Sequence, residues 1–121
     1  MIGIGTDLVE LDRFRSALAR TPTLVERLFT EGERAYAAQR ADPTERLAVR
    51  FAAKEAVMKA LGVGLGAFAM HDVEVVRAES GQPSLTLRGA AADLADARGV
   101  TRWLLTLTHT ERSAQAIAVA L

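Results

Sequence analysis

Apolar and polar positions alternate over residues 1–11. Ile2, Ile4, Thr6 and Leu8 fall on one face and Gly3, Gly5, Asp7 and Val9 on the other, which is the period of a strand. The second face carries two glycines and then a carboxylate, leaving room for a closely packed helix or for a ligand. Over residues 12–20 the period becomes helical, with Phe14, Ala17 and Leu18 on one side. Thr21-Pro22 predicts a break and a restart, with threonine as cap and proline at the first helical position. Thr30-Glu31-Gly32-Glu33 matches a capping box and opens a helix to about Arg40. Asp42-Pro43-Thr44-Glu45 starts a central helix that runs to Leu61 and stops at Gly62.

Beyond the glycine-rich stretch 62–66 the pattern is mostly extended. Residues 72–78 alternate, with Val73 and Val75 on one face, and a turn over 79–83 leads to a second strand over 84–88. A short helix over 90–98 ends at Gly99. Strands over 101–108 and 113–121 are joined by a turn around Thr110-Glu111-Arg112. Helices come first and mostly antiparallel strands later, so the expected class is α+β, in one domain over residues 1–121.

Composition narrows the function. Half of the 121 residues are hydrophobic, enough for a real core, yet a chain this short often gains stability by self-association. Fifteen basic residues balance fifteen acids, which gives no general field for nucleic acid or a membrane surface. The balance breaks over 13–27, where Arg13, Arg15, Arg20 and Arg27 face the single acid Glu26. With no cysteine, disulfide and thiol chemistry are excluded. Asp7 and Glu10 interrupt the apolar start, so no signal peptide is expected, and no apolar run is long enough to span a bilayer. The expected location is the cytoplasm.

The two lysines of the chain, Lys54 and Lys59, flank Glu55 in the central helix, whereas the other thirteen basic residues are arginine. That helix is apolar nearly all round, as buried helices are. Its exceptions are Arg50 and Lys54 on one side, and Glu55 and Lys59 almost opposite, at about 100° per residue. Two intrahelical pairs, including Glu55 with Lys59 at i,i+4, would be the bland explanation. Such pairs contribute only about 0.5 kcal/mol, a weak reason to put charge on an apolar helix. The other explanation is a site.

Smaller signals remain open at this level. Gly62, Gly64 and Ala67 fit a dinucleotide fingerprint only formally, because a helix rather than a strand precedes them. The loop is either a helix stop or a set of bare amides for phosphate oxygens. Asp7 either caps the next element or pairs with a nearby arginine, or else does metal or proton chemistry. His109 extends the face of Trp103, Leu105 and Leu107 and reads as a core-edge histidine, and His71 as solvated. No zinc-type spacing, Walker loop or nucleophile elbow is present.

Four segments together resemble the holo-acyl-carrier-protein synthase family of phosphopantetheinyl transferases. They are the stretch from Gly3-Ile4-Gly5-Thr6-Asp7 through Arg13-Phe14, Arg50-Phe51-Ala52-Ala53-Lys54-Glu55-Ala56-Val57-Met58-Lys59-Ala60-Leu61-Gly62, Gly81-Gln82-Pro83, and Leu107-Thr108-His109-Thr110 with 114–118. Their order and spacing carry the resemblance over essentially the whole chain. It implies the phosphopantetheinyl transferase fold. It also implies transfer of phosphopantetheine from coenzyme A to a serine of an acyl carrier protein, with release of adenosine 3′,5′-bisphosphate.

The resemblance further implies Asp7 and Glu55 as Mg²⁺ ligands, with Glu55, Lys59 and Asp7 as the catalytic set. Two oxygen donors plus water and a pyrophosphate oxygen suit that ion. Lys59 would meet the same phosphate, and either Glu55 or a metal-polarised water would take the serine proton. Gly62, Gly64 and Gly66 would line the coenzyme site, with Arg50 and His109 on the nucleotide phosphates. Arg13, Arg20 and Arg27 would dock an acidic carrier. A homotrimer with active sites between subunits is expected, so that one side of the central helix could serve a neighbour; Lys54, on that side, is either structural or reaches the neighbour. Thr106, Thr108 and Thr110 depart from the family's serine, serine and acid, leaving Glu111 as the nearest acid in sequence to His109. Two other activities share the features: Mg²⁺-dependent coenzyme A pyrophosphate hydrolysis, and a non-catalytic coenzyme A-binding subunit.

Overall fold

The computed structural model describes residues 1–121. Its elements are β1 (Gly3–Glu10), α1 (Leu11–Arg20), α2 (Leu24–Leu28), α3 (Glu31–Ala37), α4 (Thr44–Ala60), a 3₁₀ turn (Met70–Asp72), β2 (Val73–Arg77), β3 (Pro83–Leu87), α5 (Gly89–Ala97), β4 (Trp103–His109) and β5 (Ser113–Ala120). This is the α+β class expected, with every strand pair antiparallel. The strands divide into a sheet of order β1-β5-β4 and a separate β2-β3 hairpin.

Helix α4 lies across β1 and β5, and small residues set the closeness of that packing. Ala114, Ala116, Ala118 and Ala120 form the buried row of β5 beneath Ala52, Ala53, Ala56 and Ala60 of α4, all buried. The room above Gly3 and Gly5 is taken by the helix itself. A Cβ on Gly3 would come 1.9 Å from the Ala60 carbonyl oxygen, and one on Gly5 equally close to that of Ala56, 1.9 Å. No side chain larger than hydrogen fits at either position. On the other side of α4, Phe14 packs between Phe29 and Phe51 at centroid distances of 6.3 and 5.4 Å.

The capping signals act as physical stops and starts. Thr30 and Glu33 form the full capping box of α3, and Asp42 Oδ1 accepts the Thr44 amide at the start of α4. At the other end of α4, the Val63 amide bonds the Met58 carbonyl and the Gly62 amide that of Lys59, with Gly62 at φ 70°. That is a Schellman stop.

Strands β1 and β4 each begin two residues later than expected, and two helix boundaries differ by more than one residue. The restart at Thr21-Pro22 is two residues early: the Leu24 and Val25 amides bond the Thr21 and Pro22 carbonyls in tight turns before α2 begins. Helix α3 ends at Ala37 rather than near Arg40, because the Gln39 and Arg40 amides reach only three residues back, to Tyr36 and Ala37.

The sheet buries one face only. Its inner face meets α4, whereas Ile4, Leu8 and Leu104 on the outer face are 58%, 63% and 50% exposed. Register places Ile4, Val119 and Leu104 in one row across the three strands, with Ile117 in the next.

Candidate active site

The glycines of β1 let α4 approach, and the strand's next inward residue is Asp7. Its carboxylate lies where α4 presents Glu55 and Lys59. Lys59 Nζ donates to Asp7 Oδ1 at 3.1 Å and to the Thr6 carbonyl at 2.9 Å. The intrahelical Glu55–Lys59 pair does not form, because the lysine reaches the strand instead. Burial raises the Glu55 pKa, the negative charge of Asp7 raises it further, and Lys59 opposes both. Two carboxylates thus repel each other beside one ammonium, in a place still open to water: the Lys59 side chain is 54% exposed. No third His, Cys, Asp or Glu joins them. A hard divalent cation fits this donor set, since it relieves the repulsion and leaves coordination positions for water and substrate.

Lys54 has a different environment. It is fully buried, with Nζ donating to Glu33 Oε1 at 2.7 Å and to the carbonyls of Met70 and Val73. Burial lowers its pKa and Glu33 opposes that shift. All three ammonium hydrogens find acceptors within the chain, so no reach to a neighbouring subunit remains for it.

Arg50 lines a cleft of about 490 Å³ between α4, β4 and the hairpin turn. Its guanidinium stacks on Tyr36 at 4.5 Å, with Arg46 over the same ring at 3.9 Å and Arg77 at 5.7 Å. Arg50 Nη1 donates to the Arg46 carbonyl, Nε is buried without an acceptor, and burial lowers its pKa. Arg40, Gly81, Gln82, Pro83 and His109 complete the charged and turn lining. So many cations around one ring, with Glu45 as the single acid, suit an anion.

His109 is not a satisfied core-edge residue. It sits at the end of the sheet, half exposed, with Nε2 3.3 Å from Glu45 Oε1. The acid beside it is Glu45, from the first turn of α4. Thr110 instead caps the β4–β5 turn, accepting the Arg112 and Ser113 amides. His71 is exposed, but its Nδ1 lies 3.3 Å from the Arg27 carbonyl.

The structure therefore groups Asp7, Glu55 and Lys59, and separately Arg50 and His109. Within one chain the cleft includes neither the carboxylates nor the glycine loop. Gly64 and Gly66 project into open space, with Leu65 between them 80% exposed. Arg13, Arg20 and Arg27 are exposed on α1 and α2 and form no ion pair, whereas Arg15 is held by Asp12 and Asp42. Sequence reasoning missed Arg46, Arg77, Tyr36 and Glu45. Arg46 was within reach, since it precedes Arg50 by one helical turn.

Residues 3–120 match the ACPS model of the 4′-phosphopantetheinyl transferase superfamily. The chain belongs to that superfamily. Among its relatives, the holo-[acyl-carrier-protein] synthase of Salinispora arenicola is 48% identical over 99% of this chain and 98% of that protein. The crystal structure of the Neisseria meningitidis synthase superposes with a TM-score of 0.91 at 31% identity, covering 100% of this chain and 98% of that one. A Bacillus anthracis synthase in complex with coenzyme A (3′,5′-ADP) superposes at 0.82 with 34% identity, covering 98% and 95%. The fold is thus the phosphopantetheinyl transferase fold in which those relatives are built.

Proposed function

We propose that this protein transfers the 4′-phosphopantetheine group of coenzyme A to a serine of an acyl carrier protein and releases adenosine 3′,5′-bisphosphate. The observation that carries the reading is the cluster of Asp7, Glu55 and Lys59 at the crossing of β1 and α4, in a chain whose relatives are synthases and bind coenzyme A. The single transferase domain spans residues 1–121, and its place of action is the cytoplasm; no helix is long and apolar enough to cross a membrane.

Asp7 and Glu55 are the residues that would hold Mg²⁺, which when bound neutralises the pyrophosphate and stabilises charge on the leaving group. The serine Oγ forms a bond to the phosphorus on the pantetheine side, and the bond from that phosphorus to the bridging oxygen breaks. The serine proton passes to Glu55 or to a water beside it. Lys59 places its ammonium at the departing oxygen, where it offsets charge and can supply a proton. Arg50 and His109 hold the nucleotide phosphates in the cleft, and the loop at Gly62, Gly64 and Gly66 lines the path between.

That path requires a second copy, because the two groups of residues face opposite sides of α4. The uncovered sheet face of Ile4, Leu8, Leu104, Ile117 and Val119 supports a homotrimer with active sites between subunits. A stable interface needs roughly 800 Å² from each partner, and this face is the apolar surface available for it. Light scattering that gives a monomer at working concentration would contradict the assembly. The exposed, unpaired Arg13, Arg20 and Arg27 form the docking face for an acidic carrier.

Intact-mass measurement on a panel of carriers, with coenzyme A and Mg²⁺, tests the reaction. A carrier that gains the phosphopantetheine mass supports transfer, and chelation of the metal should stop that gain. Coenzyme A consumed without the gain would mean hydrolysis. Tight binding without turnover on any carrier would mean a binding subunit.

A further inference from the structure

A second cavity of about 390 Å³ lies between α1, α2, the end of α3 and the start of α4. It shares no residue with the arginine cleft or with the Asp7, Glu55 and Lys59 cluster. Leu18, Val25, Ala37, Leu47 and Pro43 make its walls apolar. Two charged side chains reach it, and their states differ. Arg15 is committed, with Nη1 on Asp12 at 2.9 Å and Nη2 on Asp42 at 3.0 Å. Arg34 is not: it forms no ion pair, and its Nε is buried without an acceptor.

A half-buried guanidinium against an apolar wall calls for an anion. The last turn of α3 offers it a favourable dipole but no hydrogen-bond acceptor for Nε. Nε is closed to any atom the size of water, so a carboxylate in the cavity would meet the terminal Nη groups of Arg34, which form no ion pair. One free cation balances one negative charge, and the remaining walls suit hydrocarbon rather than hydroxyl groups. The volume lies within the range of about 300–1,000 Å³ typical of small-molecule pockets. We infer that this cavity binds a free monocarboxylate with an alkyl tail, its carboxylate on Arg34 and its chain between Leu18, Val25 and Leu47.

Decanoate, titrated below its self-association concentration into the whole protein, is the probe. Calorimetry should show saturable binding at one site per chain, and amide resonances of Leu18, Ala37, Ala38 and Leu47 should shift. Arg34→Gln should weaken decanoate about tenfold, the scale of one lost charged hydrogen bond, and leave decanol binding unchanged. Circular dichroism establishes that the variant is folded. Should it not fold, a wild-type preference for decanoate over decanol of about tenfold or more decides for the site, and equal affinity decides against it. Absence of saturable binding overturns the inference, as do shifts confined to the cleft around Arg50 or equal decanoate affinity in Arg34→Gln.

Discussion

Lys54 and Lys59 stand one turn and a fraction apart on the same helix, each beside a carboxylate from another element, and they do opposite things. Lys54 is sealed from water, its hydrogens all used, its partner Glu33 equally buried. Lys59 is half exposed, its partner Asp7 shared with the charge of Glu55. The first arrangement is closed and can only hold the fold. The second leaves two carboxylates whose repulsion Lys59 only partly offsets, and an ammonium with two protein acceptors and one hydrogen to spare, which is the condition for binding something. What separates the two is not residue type or helix but how completely the polar groups are satisfied.

Stability should respond most at the closed site. Lys54→Ala leaves Glu33 charged, buried and unpaired, so it should cost about 3–5 kcal/mol in denaturant unfolding. A loss under about 1 kcal/mol would mean that the pair is not buried as described. Lys59→Ala should reverse the pattern, with transfer to a carrier reduced about 10²–10³-fold and stability changed by no more than about 0.5 kcal/mol. If Lys59→Ala unfolds the protein while Lys54→Ala leaves turnover intact, the comparison is wrong.

The double variant Lys54→Met with Glu33→Gln sharpens it further. It removes both charges together and should recover much of the stability lost in Lys54→Ala, since apolar or neutral replacements of buried pairs are often close to neutral. The recovery is read from the same unfolding curves.

Glu55 supplies the smallest and most specific effect on stability. Its folded pKa lies above its unfolded value, so its ionised form costs stability above the folded pKa, and that cost is relieved as pH falls toward the unfolded value. Glu55→Gln should therefore raise the melting temperature of the metal-free protein at neutral pH while abolishing transfer. Mg²⁺ on the two carboxylates should relieve the same cost, so added Mg²⁺ should raise the wild-type melting temperature and change that of Glu55→Gln far less. An equal rise in both would remove Glu55 as a ligand.

Much of this was readable before the fold. The capping box at Thr30 and Glu33, the central helix and its glycine stop, and the four later strands follow from local patterns, because caps and periods act within a few residues. The glycines at positions 3 and 5 announced a close approach, though not by what. What local pattern cannot supply is a partner far along the chain. Glu33 was legible as a cap but not as the counter-ion of Lys54, and Glu45 not as the acid beside His109. The nearness of Asp7 to Glu55 came from family resemblance and then from the crossing of β1 and α4. Tyr36 and Arg77 reach the arginine cleft from α3 and β2, which no single helix face could reveal.

Glu33 also has a consequence for how the molecule opens. Its Oε1 accepts the Thr30 amide at 3.0 Å as well as Lys54, and its Oε2 accepts the Val75 amide at 2.9 Å. One carboxylate thereby ties the start of a helix, the middle of another and a strand of the hairpin. Fraying of α3 cannot proceed alone, because it would strip the buried lysine of its counter-charge. The amides of Thr30 and Val75 should then exchange with deuterium as one cooperative unit, at nearly the same opening free energy, despite lying on separate elements. A short surface helix would then share the opening free energy of the core it touches.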